Sequence, residues 1–362
     1  MSNQKYTDSD KYQQEIAEQY KKRVVKFSVD EVVSALSLLG ITVSPGSIKE
    51  ASVGNVNATY ITPELVVKIN QNREALNYLA NKLVSDRLSD KCPVINVAAY
   101  DFFEKTNYEV LVMERAPGTL LLDDIFDFDT KIQENLFKQV LGVVKQMFTI
   151  EFKDFGQVNK NESSSTYTEF LKDQFTKNLK TIRDKKLCEE VDIAKVEKYF
   201  LENAAVFDNE KSVFVHTDLH MGNILHQGAK LTAILDFDSS LKAPKARVLL
   251  ALLGFIDNPS QFVEGTKDFE KYKGKNFYVL LPTLKEELSD VFADPQLLKK
   301  LNIQGIKEGI MWIADNWSAD WNKEMMANLV NNEVANTEEA LHKSYFGKIL
   351  NHLTVNSTNE NY

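Results

Sequence analysis

Apolar residues recur along this chain with two different periods, and the change from one to the other divides it. Ser28-Val29-Asp30-Glu31 spells a capping box: the Ser28 hydroxyl can accept from the Glu31 amide while the Glu31 carboxylate reaches back to Ser28. Val32, Val33, Leu36 and Leu39 follow at helical spacing, and Gly40 is a natural stop. Short runs of strand character come next, "SIKEASV", "ATYIT" and "LVVKI", the last two joined by a Pro63-Glu64 turn. A helix is predicted over "REALNYLANKLVSDRL", with Leu76, Leu79, Ala80, Leu83 and Leu88 on one face. Two more strand runs, "INVAAYDFF" and "YEVLVMER", are linked by "EKTN". Three strands, a helix and two strands with short turns predict an antiparallel sheet.

After "APGT" the period becomes helical. "TKIQENLFKQVLGVVKQMFTIEF" carries Ile132, Leu136, Val140, Val143, Val144 and Met147 on one stripe, and "YTEFLKDQFTKNLKTIRDKK" and "DIAKVEKYFLENAAVF" are also amphipathic. The serines of "NKNESSSTYTEF" are expected to cap the helix that follows them. Short β runs at "FVHTDLHMGNIL" and "LTAILDFD" interrupt the helices, which then resume to the end. One late segment, "GIKEGIMWIADNWSADWNKEMM", would place Trp317 and Trp321, four apart, on a single helix face. The expected architecture is α+β and bilobal: a small antiparallel-sheet lobe over residues 1–115 and a larger, mainly helical lobe over 116–362.

Composition narrows the function classes. Of 362 residues, 43% are apolar and 26% charged, and the net charge is -9, which argues against non-specific binding to nucleic acid or an anionic membrane. An acidic chain suits a cationic small-molecule substrate. Cys92 and Cys188 lie far apart and outside any C-x-x-C pattern, so neither a disulfide framework nor a cysteine zinc site is expected. The polar N-terminus has no apolar core of a signal peptide, and no apolar run approaches the ~20 residues of a membrane helix. The expectation is a cytoplasmic protein, monomeric or weakly dimeric, with no membrane or nucleic-acid partner.

The candidate chemistry centres on "FVHTDLHMGNIL", which brings His216, His220 and His226 together around Asp218. A histidine metal site is one reading, since "DLHMGN" has the look of a metallophosphoesterase opening. Such a site needs further His, Asp and Asn ligands downstream, and no G-N-H-[DE] follows. The other reading is H-x-D-x-x-x-x-N: Asp218 accepts the proton of an attacking hydroxyl and Asn223 holds a magnesium ion. Thirteen residues after Asn223, Asp236 of "LDFD" ends an apolar run where it could bridge the metal to phosphates. Protein kinases order their catalytic loop and metal aspartate in the same way. Lys68, inside the apolar run "LVVKI", would be costly to bury unless paired, and Glu74, six residues on, is its candidate partner. "ASVGNVNATY" could lay backbone amides over phosphates.

Taken together, "VVKI…REALNYLA", "LVMERAPGT" and "FVHTDLHMGNIL…LTAILDFD" resemble the aminoglycoside phosphotransferase and choline kinase-like superfamily over roughly Ile48 to Leu253. The resemblance implies a protein-kinase-like fold, with ATP or GTP as co-substrate and Mg²⁺ as cofactor. It implies Asp218 as the catalytic aspartate, Asn223 and Asp236 as metal ligands, and Lys68 with Glu74 as an ion pair. Gly54 and Asn57 match the nucleotide loop, Met113 the back of the adenine pocket, and the backbone of Glu114 and Ala116 the adenine-binding hinge. His216 is expected to support the backbone near Asp236, with His220 and His226 as loop or strand residues. One departure is visible: many relatives carry Gly-Asp-Pro and then Asp-Leu-Ala after the metal aspartate. Here Ala243 precedes Pro244, and Arg247 stands near the second acid, which is thought to support the catalytic loop.

For the acceptor, the family and the acidic charge point first to an amino-sugar antibiotic of the aminoglycoside type, bound by Asp257, Asp315, Asp320 or Glu324, with Glu264 a further candidate. A metabolic kinase of choline, a sugar or an amino alcohol is the alternative, and a non-catalytic nucleotide-binding pseudokinase is the alternative of another class. No D-F-G with a following A-P-E argues for a protein kinase.

Overall fold

The computed structural model describes residues 13–14, 16–18, 26–51, 58–70, 78–103, 107–160, 163–315 and 318–355. Helix α1 (Val29–Leu38) opens with the expected capping box: Glu31 N donates to Ser28 Oγ at 3.3 Å and Ser28 N to Glu31 Oε2 at 2.7 Å. It ends at Gly40, whose φ of +73° is open to glycine at no steric cost. Strands β1 (Lys49–Glu50), β2 (Ala58–Ile61), β3 (Leu65–Asn70), β4 (Val97–Phe103) and β5 (Tyr108–Glu114) form one antiparallel sheet in the order β1-β2-β3-β5-β4. Helix α2 (Leu79–Leu88) lies between β3 and β4 in sequence, and the earlier part of that predicted helix falls outside the described residues.

Strand alternation sorts the two faces of this sheet. Val67, Ile69, Val110 and Val112 pack with Val32, Ala35 and Leu36 of α1 in a small core of their own. Tyr60 ties that core to the chain before α1, its hydroxyl accepting from Phe27 N and donating to Phe27 O, both at 2.7 Å. Leu111 and Met113, on the opposite face of β5, join Ala80, Val84 and Leu88 of α2 in the larger core that continues through the rest of the protein. The sheet is thus apolar on both faces, which is why "VLVME" reads as a continuous run.

The second lobe is mainly helical, built on α3 (Thr130–Met147), α4 (Tyr167–Asp184), α5 (Glu190–Asn203), α6 (Leu249–Asp257), α7 (Leu297–Ala314), α8 (Ala319–Asn328) and α9 (Tyr345–Val355). Two small sheets are set among the helices: β6 (Thr119–Leu120) with β10 (Ile224–Gln227) and β11 (Lys230–Ile234), and β7 (Glu151–Phe152), β9 (Ser212–Val215), β12 (Leu241–Ala243) and β8 (Gly156–Gln157). The α+β, bilobal fold is the one expected. Two local expectations are corrected. The cap of α4 is Thr166, boxed with Glu169, and Ser165 only adds its hydroxyl to the same carboxylate at 2.7 Å. The tryptophan segment is two helices, because Ser318 caps α8 by accepting from Trp321 N. Trp321 is therefore in a new helix and buried in the core, while Trp317 lies outside the described residues.

Candidate active site

The loop between β9 and β10 is fixed by hydrogen bonds that its own side chains make. Asp218 N donates to His216 Nδ1 at 3.2 Å, so the ring proton sits on Nε2 and is given to Leu235 O at 2.9 Å. Burial lowers the His216 pKa and keeps this ring neutral. Asn223 Nδ2 donates to Asp218 O at 2.8 Å and to Asp218 Oδ2 at 3.2 Å, and Asn223 O accepts from Leu235 N at 2.8 Å. Thr217 Oγ1 donates to Ser239 O at 2.7 Å. The loop is thereby sewn to the segment that carries Asp236, without the acid that relatives place after Pro244.

Two carboxylates face this space. About 48% of the Asp218 side-chain surface is reachable from the cleft, yet the surrounding walls remove enough water to raise its pKa to about 6, with the Asp236 charge adding to the rise. Asp236 takes φ +60°, a conformation that a non-glycine residue adopts only when its surroundings impose it. Burial would raise its pKa, but the Lys68 ammonium outweighs that and holds it down.

Lys68 has turned inward from β3, with only 11% of its side chain exposed. Its Nζ donates to Asp236 Oδ1 at 2.9 Å and to Asp238 Oδ2 at 3.1 Å. Burial works against the ammonium, and the two acids overcome it and raise its pKa. Asp238 is in turn held by Asn81 of α2, whose Nδ2 donates to Asp238 Oδ1 at 2.7 Å and whose Oδ1 accepts from Phe237 N at 3.3 Å. Asn159 closes the frame: Nδ2 donates to Asp238 O at 2.7 Å and Oδ1 accepts from Ala80 N at 2.8 Å. A helix of the first lobe, a loop of the second and the "LDFD" segment are locked on one buried lysine.

The sequence pointed to some of this site and missed the rest. Lys68, Asp218, Asn223 and Asp236 converge. Gly54, Asn57 and Glu74 lie outside the described residues, and among the described residues Lys68 is paired with Asp236 and Asp238. Met113 shares the Lys68 face of the sheet, since it pairs with Val66 while Lys68 pairs with Leu111. Glu114 N donates to Asn96 O at 2.9 Å, and Ala116 begins the link to β6. Asp238, Asn81 and Asn159 were not singled out, although the second acid of "LDFD" was in view.

The acids expected to bind a cationic acceptor do not line the cavity described beside Asp218, although Asp257 stands close to Tyr345 of its wall. The cavity beside Asp218 is lined by Arg247, Glu308 and Trp312 among others, and by none of Asp257, Glu264, Asp315, Asp320 or Glu324. Asp257 ends α6 and accepts from the Tyr278 hydroxyl, Asp315 ends α7, and Asp320 and Glu324 lie on α8. Arg247 is buried and donates through Nη2 to Glu308 Oε1 at 2.9 Å.

Of the other histidines, His220 accepts from Gly222 N at 3.1 Å and stacks on Phe262, with burial lowering its pKa to about 4. His226 sits in β10, its Nδ1 on Gly228 O at 2.9 Å and its Nε2 on Asp124 Oδ2 at 3.0 Å. No cluster of three or more His, Cys, Asp or Glu side chains among the described residues is arranged to hold a metal. The donor set suits a hard cation instead. With Asn223 Nδ2 engaged on Asp218, Oδ1 remains for a ligand, and Asp236 keeps 40% of its side chain accessible. Magnesium typically takes one or two protein oxygens and completes its shell with phosphates and water.

Comparison with known families decides the relationship. The model of the phosphotransferase enzyme family (APH) matches residues 47–246, more than half of the chain. The chain belongs to that family. No curated protein sequence gives a significant match. Among solved structures, the phosphotransferase resembles a thermostable mutant of aminoglycoside phosphotransferase APH(4)-Ia in ternary complex with AMP-PNP and hygromycin B. The TM-score is 0.58 at 13% identity, over 86% of this chain and 100% of that one. It also resembles ADP-bound aminoglycoside phosphotransferase APH(2'')-Ib, at TM-score 0.56 and 14% identity over 88% and 99%. A third is the gentamicin complex of APH(2'')-IIa, at TM-score 0.52 and 14% identity over 83% and 99%. At these identities the likeness is one of fold. Among the described residues, no helix of the phosphotransferase is long and apolar enough to cross a membrane.

Proposed function

We propose that the protein transfers the γ-phosphoryl group of ATP or GTP to a hydroxyl of a small molecule. The observation that carries this is the meeting of Lys68, Asp218, Asn223 and Asp236, from both lobes, in one site within a chain of this family. Complexes of relatives with AMP-PNP and ADP support a nucleotide between residues 1–115 and 116–362. Adenine would stack near Met113 and be read by the Glu114 carbonyl and the Ala116 amide, with Gly54 and Asn57 over the phosphates. Lys68 would hold phosphate oxygens, and Asn223 Oδ1 and Asp236 would hold Mg²⁺. The bound ion supplies charge neutralisation to the phosphates. Asp218 would orient the acceptor hydroxyl and take its proton, and its upward-shifted pKa makes it a better base than an ordinary aspartate. Glu74 remains a candidate partner of Lys68 once Asp236 turns to the metal.

The bonding of Asp218 argues against the pseudokinase. Its carboxylate bonds to Asn223 and lies 3.7 Å from His220 Nε2, and about 48% of its side-chain surface still faces the cleft. Relatives that bind hygromycin B and gentamicin keep an amino-sugar acceptor in view. The acids that would favour such a polycation are not among the described lining residues of the Asp218 cavity, with Asp257 behind its Tyr345 wall, so the choice of acceptor turns on the residues that do line it.

Asp218→Asn tests the reading. It should lower kcat by about 10²–10⁴-fold, the usual contribution of a general base, while the circular dichroism spectrum and Mg-nucleotide binding stay unchanged. Undiminished turnover would refute the mechanism.

A further inference from the structure

The cavity beside Asp218 has a volume of about 430 Å³, within the ~300–1,000 Å³ of pockets that hold drug-sized ligands. Its walls are largely aromatic and aliphatic: Phe262, Trp312, Tyr345 and Phe346, with Leu250 and Ala251 from α6. Gly254 and Gly305, in the interiors of α6 and α7, add wall without side chain. A helix-interior glycine costs about 1 kcal/mol against alanine, and at Gly254 the bare backbone lets Gln261 Nε2 approach and donate to Gly254 O at 2.8 Å.

Among the described residues, the charged lining of this cavity is Asp218, Arg247 and Glu308, two acids and one base. Glu308 Oε1 accepts from Arg247 Nη2 at 2.9 Å and from Lys307 Nζ at 3.2 Å, so one carboxylate answers two cations. A polycationic acceptor needs acids that are not already paired. Here Glu308 is already paired, the remaining lining acid is Asp218 of the catalytic loop, and the buried Arg247 guanidinium disfavours further like charge.

Phe262 links the aromatic wall to the chemistry. Its ring stacks on His220 with centroids 4.7 Å apart and planes at 28°, and His220 Nε2 lies 3.7 Å from Asp218 Oδ1. Phe262 and Trp312 are both only partly buried, so each offers ring surface to an occupant. Arg247, Glu308 and Gln261 supply donors and acceptors for hydroxyl groups at the same cavity. A hydroxylated molecule with a flat apolar ring would lay the ring on the aromatic wall and be held within reach of Asp218.

We infer that the acceptor is an uncharged glycoside or polyol carrying an aromatic or alicyclic ring, and not a polycationic amino sugar or a quaternary amine. The inference rests on the kinase reading above and specifies its acceptor.

The test is nucleotide-diphosphate release by the full-length protein with Mg·ATP. One arm holds phenyl β-D-glucoside, cyclohexyl β-D-glucoside and uridine, and the other holds kanamycin, gentamicin and choline. A higher kcat/KM for a member of the first arm supports the inference. In that case Trp312→Leu should raise the acceptor KM about tenfold with a smaller effect on kcat, and Trp312→Phe should recover most of the loss. A higher kcat/KM for kanamycin, gentamicin or choline overturns the inference and leaves the kinase reading standing. So does ATP binding with no transfer to the first arm, or a Trp312→Leu variant with unaltered KM. Failure to bind ATP at all would sink the kinase reading and this inference with it.

Discussion

Lys68 shows how a buried charge is kept in place. An ammonium in an apolar strand must be compensated, and here two carboxylates do so. The proposed metal role of Asp236 would draw it toward the ion, which leaves Asp238 as the anion that holds the lysine on the phosphates. Asp238→Asn should therefore lower kcat/KM for the nucleotide by about 10–100-fold, the size of a lost charge-assisted hydrogen bond. Steady-state kinetics with varied ATP would read it, and a change below twofold would remove Asp238 from the site. Asp236 was legible because its spacing from Asn223 is local. Asp238 was not, because its role exists only when Asn81 and Asn159, distant in sequence, arrive beside it. Glu74, put forward from its place at the start of the following helix and from the family resemblance, lies outside the described residues. Arg247 and Glu308 give a second prediction. Burial alone would raise the Glu308 pKa, but Lys307 and Arg247 outweigh it and hold it below the ordinary 4.5. A carboxylate depressed on folding stabilises the fold above its unfolded pKa, and that contribution is lost as pH falls through the folded value. Glu308→Gln, which leaves Arg247 buried without its anion, should cost about 3–5 kcal/mol at pH 7. In urea melts the gap to wild type should narrow below about pH 4.5. A gap that stays constant down to pH 3 would mean that the pair is not what Glu308 contributes.

At the scale of elements, the joint between the lobes depends on a close approach of backbone to backbone. Gly118 has φ +112°, and a Cβ there would press into the His226 carbonyl of β10, closer than real Cβ atoms stand. Thr232 Oγ1 fixes the same turn by donating to Pro117 O at 2.6 Å. Gly118→Ala must either strain the backbone or push β10 away, at about 1–3 kcal/mol. A urea midpoint unchanged within error would show that the turn yields freely. This turn was legible in "APGT" as a change of period, though the carbonyl that demands the glycine was not. Elements whose signals are local were legible in full: the Ser28–Glu31 box, the amphipathic α3 and the strand runs around Lys68. The break between α7 and α8 was not. "IADNWSADW" contains neither Gly nor Pro, and its apolar spacing suits one helix as well as two. Ser318 decides it by capping Trp321 N, a choice that depends on where the second helix finds space to pack.

For the whole molecule, the question is what couples the two lobes when nucleotide is absent and when it is bound. In the structure, the lobes share the larger apolar core, and at the site polar side chains add to the coupling: α2 reaches the "LDFD" segment by Asn81, and β3 reaches it by Lys68. Two acids share that one cation, and burial with the Asp236 charge pushes the Asp238 pKa up to about 7, so the site resists further negative charge before any phosphate enters. An incoming triphosphate would meet Asp236, Asp238 and Asp218 with Lys68 as the nearest counter-charge, which makes an accompanying divalent ion a condition of tight binding. Ligand at 100 times its Kd stabilises a fold by about 2.7 kcal/mol, so AMP-PNP with Mg²⁺ should raise the melting temperature by several degrees. Chelating the Mg²⁺ should remove most of that rise, because the unscreened phosphates then face the carboxylates alone. Asp236→Asn should make the stabilisation far less dependent on Mg²⁺, since it deletes both a proposed ligand of the ion and part of the repulsion. Thermal melts of the two proteins with AMP-PNP, with and without EDTA, separate the outcomes. Equal rises for wild type in both conditions would show that the phosphates are not held against these acids and would move the nucleotide away from Lys68.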